Sequence, residues 1–428
     1  MTLVIILGLI TIIAAFVQTR AFKRLYAYVE RELRRPLNGY IPKVSVILPC
    51  KGLDPGFKNN IRLLLDQDYK CDGKPNFEVI FAVASTSDPA YKALEEIRKE
   101  RSDLKTQMVV AGVNAQRAQK INNQLAALQI VDSQSEVIVF VDSDVIARRD
   151  FLRYLVSHLE DAGVGVTTGY RFYIPFKGDW PCLLRSMWNR MTAWEMASAR
   201  FAFAWGGAMA IRKETFERAG VAASWQKAAD DDLSLTTAVK RLGLQVRFIP
   251  QCLVVSDGDA TIEEIVEWTN RQLILTKVYY PELWRRAINR ALILKFWLIA
   301  VLLSAAHAVA TGDQVSVAAC LVGLTLLPVE LWFLVKAQGL WRKVILANRI
   351  KGTNQEASSA ALSAGADKNI ELAFDKALLR SILMIPVAHL VLPWMTLYSL
   401  LTNRIKWRGV WYELRSSEET IVVSGGNA

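Results

Sequence analysis

The chain has 428 residues, a formal net charge of +11, 52% hydrophobic residues and 13 tryptophans. That apolar content is high for a wholly soluble protein, and the excess gathers at the two ends of the chain. No zinc, helix-turn-helix or aromatic RNA-binding signature accompanies the positive charge, so no nucleic-acid partner is expected. Basic residues beside apolar runs point instead to anionic lipid head groups.

Five scattered cysteines (Cys50, Cys71, Cys182, Cys252, Cys320) form no C-x-x-C pair. A disulfide framework is therefore not expected, and the main domain should face a reducing compartment. His158, His307 and His389 lie far apart, which leaves acid–base chemistry to carboxylates.

Met1 to Thr19 is uncharged and reaches the roughly 20 residues that cross a bilayer. Arg20, Lys23 and Arg24 come directly after it, the reverse of a cleaved signal peptide. The positive-inside rule makes residues 1–20 an anchor and puts the chain beyond it in the cytosol.

Lys43–Pro49 reads as a strand, Phe57–Asp66 as a helix and Phe77–Ala84 as a second buried strand. Asp88 stands just past that strand's end. Tyr91–Arg98 reads as a crossover helix, Met108–Ala111 as a strand and Lys120–Leu128 as a helix. Val137–Val141, five apolar residues in a row, suits a central strand covered on both faces. It ends in Asp142-Ser143-Asp144, so two carboxylates sit where open α/β sheets bind ligands. The pair reads either as a solvated turn or as a hard-cation site for Mg²⁺ or Mn²⁺ on a phosphate.

Phe151–Leu159 reads as a helix and Val164–Tyr170 as a strand. Pro181–Phe203 mixes Trp, Met and Arg, and suits either a large core helix or an amphipathic helix at a membrane surface. The glycines of Trp205-Gly206-Gly207 would let backbone approach a ligand. Asp230-Asp231-Asp232 opens the helix Leu233–Leu242, where one carboxylate suffices for a cap. The alternation of strand and helix predicts a parallel sheet with right-handed crossovers.

Residues 296–312 and 314–335 are apolar runs joined by a tight turn. Residues 353–367, small and polar, read as a mobile loop. The apolar run 378–401 is broken by Pro386 and Pro393. A third crossing there would strand the basic tail 406–428 outside, so this run should be re-entrant or interfacial. The division expected is an anchor at 1–20, an α/β domain at 40–285, a membrane region at 290–405 and the basic tail.

Taken in order, Pro49-Cys-Lys-Gly52, Asp88-Pro89-Ala90, Val141-Asp-Ser-Asp144 and Asp231-Asp232 resemble the family 2 and family 21 glycosyltransferases. The ceramide glucosyltransferase branch is the nearer likeness, and it extends less sharply to Trp407-Arg-Gly-Val-Trp-Tyr412. The resemblance implies a GT-A (Rossmann-like) α/β fold with N-terminal and C-terminal membrane segments, a UDP-sugar donor, a divalent metal and inversion at the anomeric carbon. By the same resemblance Asp88 contacts the nucleoside, Asp142 the ribose side and Asp144 the metal. Asp232 is the general base, with Asp231 the other candidate, and Lys120 is either a phosphate contact or a solvated lysine.

The family usually carries (Q/R)-x-x-R-W, whereas here Arg271-Gln-Leu-Ile274-Leu275 keeps the first position and loses Arg-Trp. Lys277, on a helix expected over 262–279, either carries the missing charge to the diphosphate or snorkels to head groups. The expected activity is transfer of a hexose, glucose first, to a membrane lipid hydroxyl such as that of ceramide or diacylglycerol. A processive polysaccharide synthase and a catalytically silent membrane scaffold are the competing readings.

Overall fold

The computed structural model describes residues 1–350 and 364–424. Its centre is a seven-stranded sheet: β1 (Val44–Pro49), β2 (Phe77–Val83), β3 (Thr106–Val110), β4 (Val137–Val141), β5 (Val164–Ile174), β6 (Ala208–Arg212) and β7 (Gln245–Asp257). The strand order is β3-β2-β1-β4-β6-β5-β7. All neighbours are parallel except β6, which runs antiparallel to both β4 and β5. The sheet is therefore mixed where the alternation of elements predicted a parallel one.

Alternation along β4 explains why it sits in the middle. Val137, Val139 and Val141 point into one core with the helices Phe57–Leu65, Pro89–Glu100 and Phe151–Ser157. Ile138 and Phe140 point into a second core with Gln119–Leu128, Asp232–Arg241 and Ile262–Tyr279. A strand with apolar residues on both faces is stable only with helices above and below.

The N-terminal helix runs unbroken from Thr2 to Arg34, well beyond the anchor expected over 1–20. Its second half docks on the α/β domain: Leu25 and Val29 pack with Tyr170, Phe172, Phe248 and Trp341. Glu32 and His158, both buried, pair at 3.0 Å. Together with Pro281–Thr311, Gln314–Asn348 and Leu379–Tyr398, this makes four helices among the described residues long and apolar enough to cross a membrane.

Pro386 and Pro393 lie inside the helix Ala364–Tyr398 without ending it. At the start of its apolar stretch, Leu379–Tyr398, Arg380 donates to Gly178 O at 2.9 Å, and just past its end Thr402 O accepts from Lys277 Nζ at 2.8 Å. Both ends of the apolar stretch thus touch the α/β side. The C-terminal segment is not a free basic tail but a three-stranded antiparallel sheet, β8 (Arg404–Trp407), β9 (Val410–Ser416) and β10 (Glu419–Ser424). Ile405, Tyr412 and Leu414 bury into the second core. Of the polar loop expected over 353–367, residues 353–363 lie outside the described residues, and 364–367 already belong to the helix.

Of the two forms expected for the stretch 181–203, the core helix holds for its first part only. Trp180–Ala193 is a helix and Trp194–Ala197 a single 3₁₀ turn. Leu184 and Met187 pack on Ile385 and Leu392, so the helix is clamped between the sheet and a membrane-length helix. Its buried Arg190 is held by Gln338 at 2.8 Å and Ser381 at 3.2 Å.

Candidate active site

The site forms where β4 ends. Lys120, in the first turn of its helix, reaches across to Asp142 at 2.9 Å and Asp231 at 3.0 Å and donates to Gly206 O at 3.1 Å. Burial would lower the lysine, but the flanking Asp142 and Asp231 carboxylates more than reverse this and raise it, so it stays charged. Lys120 is therefore no solvated side chain. A Cβ on Gly206 would stand 2.8 Å from Lys120 Nζ and 2.9 Å from Asp231. The absence of a side chain at this position leaves room for the chain's own ion pair.

Asp144 is gripped by Arg171 of β5 through two hydrogen bonds of 2.6 and 2.7 Å. The same guanidinium is 3.9 Å from Asp142, bonds Ser256 at 3.0 Å and lies over the Trp205 ring. Burial alone would raise Asp144, and the Arg171 pairing with lesser help from Arg408 and Lys120 brings it below its usual value. Asp142 is raised, by burial first and then by repulsion from Asp144, against the pull of Lys120.

The three successive aspartates divide the work. Asp230 accepts from Leu233 N at 2.7 Å and so caps the helix. Asp231 accepts from Gln124 at 2.8 Å and Asp232 from Gly206 N at 2.7 Å, and both line the cavity. Burial, then repulsion from Asp232 and Asp231, pushes Asp230 well up. Burial and the neighbouring Asp231 push Asp232 up to about 6.

The structure thus brings together Asp142, Asp144, Lys120, Asp231 and Asp232. Arg271 also faces the cavity, stacked over Trp407. Asp88 lies outside the cavity lining: it caps the helix Pro89–Glu100 through Ala90 N and holds the opening loop through Gly52 N, both at 2.9 Å. Lys277 is not brought in either. Its ammonium donates to Ser399 O and Thr402 O, away from the carboxylates. Ile274, whose helix face it was expected to share, is fully buried in the core. Lys277→Met should leave donor KM and turnover in detergent unchanged while lowering stability by about 1–2 kcal/mol. Kinetics and thermal unfolding of the detergent-solubilised variant check this; a raised donor KM would restore Lys277 to the site.

Arg171 is not marked by the sequence motifs, whereas the hairpin turn at Trp407-Arg408 falls in the stretch Trp407–Tyr412 to which the family likeness extends less sharply. An arginine inside the otherwise buried stretch Thr167–Ile174 was the available signal for Arg171.

Asp142 and Asp144 offer the hard oxygen donors that Mg²⁺ and Mn²⁺ prefer. Among the described residues no group of three or more His, Cys, Asp or Glu is placed to hold a metal. The pair therefore fits a cation that takes its other ligands from phosphate or water, once Arg171 has released Asp144.

One cavity of about 2090 Å³ joins this cluster to the membrane-length helices. Asp142, Asp144 and Asp232 line one part of it, and Ile13, Phe333 and Leu392 another.

A mixed α/β sheet with carboxylates at its strand ends, open to a crevice shared with membrane-length helices, places a ligand site where such sheets bind their ligands. The chain matches the sequence profile of glycosyl transferase family 21 over residues 3–420, and it belongs to that family. Among solved structures it is similar to a mannosyltransferase from Pyrobaculum calidifontis in complex with GDP-mannose and Mn²⁺. That match has 18% identity and a TM-score of 0.43, and covers 88% of this chain and 98% of the other. Glucosyl-3-phosphoglycerate synthase from Mycobacterium tuberculosis, in complex with Mn²⁺, UDP-glucose and phosphoglyceric acid, matches with 15% identity and a TM-score of 0.36. It covers 55% of this chain and 79% of the other.

Proposed function

We propose that the protein is an inverting hexosyltransferase of the ceramide glucosyltransferase type. It takes glucose from a UDP-sugar at the cytosolic face and places it on the hydroxyl of a membrane lipid, ceramide or diacylglycerol in kind. The observation that carries this reading is the continuous cavity, polar at the carboxylates and apolar where it meets Ile13, Phe333 and Leu392. A lipid could lie with its tails among the helices and its hydroxyl beside Asp232. Arg20, Lys23 and Arg24, just beyond the first apolar run, suit anionic head groups.

In this mechanism the acceptor hydroxyl loses its proton to Asp232 as its oxygen bonds the anomeric carbon and the bond from that carbon to the diphosphate breaks. A carboxylate with a raised pKa is a better base than a free one, and the Gly206 N–H fixes its orientation. Lys120 supplies positive charge beside the departing diphosphate. A divalent cation held by Asp144, with Asp142 beside it, would supply further charge stabilisation of that leaving group.

Because Asp232 must be ionised to act, kcat/KM should fall as pH drops through about 6, and a pH profile of initial rates checks the position of that limb. The reading as a whole is tested with membranes containing the protein, a panel of labelled UDP- and GDP-sugars, and lipid extraction. Label in a single glycolipid is expected. Label in a long water-soluble polymer would favour a polysaccharide synthase, and no transfer or donor hydrolysis with or without Mn²⁺ would favour a silent scaffold.

A further inference from the structure

The C-terminal sheet does more than cover the core. The turn between β8 and β9 is Arg408-Gly409, and both residues have positive φ, 47° and 84°. Glycine or asparagine is the ordinary occupant of such backbone. An arginine kept there invites a reason beyond the turn itself. Its side chain points over the crevice: Nη1 donates to Lys51 O at 3.0 Å and Nη2 reaches Asp54 Oδ2 at 3.4 Å. Asp54 in turn accepts from Ser143, the residue between Asp142 and Asp144.

Four other cations of the crevice are already engaged, two by carboxylates and two by stacking on aromatic rings. Lys120 is held by two carboxylates, Arg171 by Asp144, Arg185 is stacked on Tyr173, and Arg271 lies over Trp407. A guanidinium has five N–H donors, and Arg408 engages protein with only part of them while 49% of its side chain is exposed. The platform beneath it is fixed, because Ile405, Tyr412 and Leu414 are buried. Only the guanidinium need swing.

We propose that Arg408 binds the diphosphate of the nucleotide-sugar donor, exchanging its long contact with Asp54 for charge-assisted hydrogen bonds to phosphate oxygens. The assignment rests on the nucleotide-sugar reading above. It gives the C-terminal sheet a part in donor binding, contributed by a segment far in sequence from the aspartates.

The test uses the full chain in detergent with fixed Mn²⁺, measuring affinity for UDP and UMP and for GDP and GMP. Arg408→Gly and Arg408→Asn both suit the positive φ, so the fold should survive without the guanidinium. Diphosphate affinity should fall about 10–100-fold, the worth of a charge-assisted hydrogen bond, with a smaller change for the monophosphate. Trp411→Ala, on the exposed side of the same hairpin, should change neither. A diphosphate-to-monophosphate ratio unchanged in the Arg408 variants would overturn the assignment and leave the proposed function standing. A wild-type chain that binds neither UDP nor GDP would overturn the nucleotide-sugar reading and this assignment with it.

Discussion

Asp232→Asn should lower turnover by roughly 10²–10⁴-fold, the usual worth of a positioned general base, while donor affinity changes little. The amide oxygen can still accept from Gly206 N, now at 2.7 Å, so the loop and the helix start are kept. The loss is the lone pair that accepts the proton. Asp231 is a poor substitute because its carboxylate already serves Lys120 and Gln124. Steady-state kinetics beside equilibrium binding of UDP separate the two effects. Turnover within a factor of a few of wild type would remove Asp232 as the base and turn attention to Asp231. The acid limb near pH 6 should vanish with the carboxylate, a second readout that a merely structural role would not produce.

Much of this arrangement is visible in the sequence because local chemistry dictates it. Val137–Val141 suits a strand buried on both faces, and its boundaries in the structure are those of the apolar run. Thr261 and Glu264 close a capping box on the helix Ile262–Tyr279, whose span the sequence also indicates. Pairing between distant segments is not visible in the same way. Ala208–Arg212 is five residues of mostly small or apolar character, and nothing local says that it inserts antiparallel between β4 and β5. Arg171 is likewise unremarkable until β5 lies beside β4 and its guanidinium meets Asp144.

The departures from expectation have similar physical causes. One of the two readings of Lys277 rests on its spacing from Ile274, but helical spacing says which residues share a face and not which way that face turns. Here the face of Ile274 turns to the core. The C-terminal segment reads as a basic tail if charge is counted. It reads as a strand if alternation is counted, since Tyr412 and Leu414 are buried while Trp411 and Arg415 are exposed. A capping role within the aspartate triplet is legible from its place before a helix, yet only the structure gives it to Asp230, while Asp231 pairs with Lys120 and Asp232 accepts from Gly206 N.

Asp144→Ala should weaken Mn²⁺-dependent donor binding by more than about 100-fold. Losing even an outer-shell partner of a metal ligand costs about 10–100-fold, and Asp144 is proposed as a ligand itself. The substitution also has a second consequence that the pairing with Arg171 makes specific. In the structure that guanidinium is neutralised by two short hydrogen bonds to Asp144 and stands only 3.9 Å from Asp142. Without Asp144 it is free to turn to Asp142 or to phosphate. Residual donor binding should therefore persist without added metal, carried by Arg171, while its metal dependence disappears. Arg171→Met should do the reverse: it removes the cation that competes for Asp144, so Mn²⁺ should bind at lower concentration. Titrating Mn²⁺ against UDP binding in both variants distinguishes the roles. An unchanged metal dependence in Asp144→Ala would remove Asp144 from the ligand set. An unchanged Mn²⁺ midpoint in Arg171→Met would mean that Arg171 and the ion do not compete for the same carboxylate.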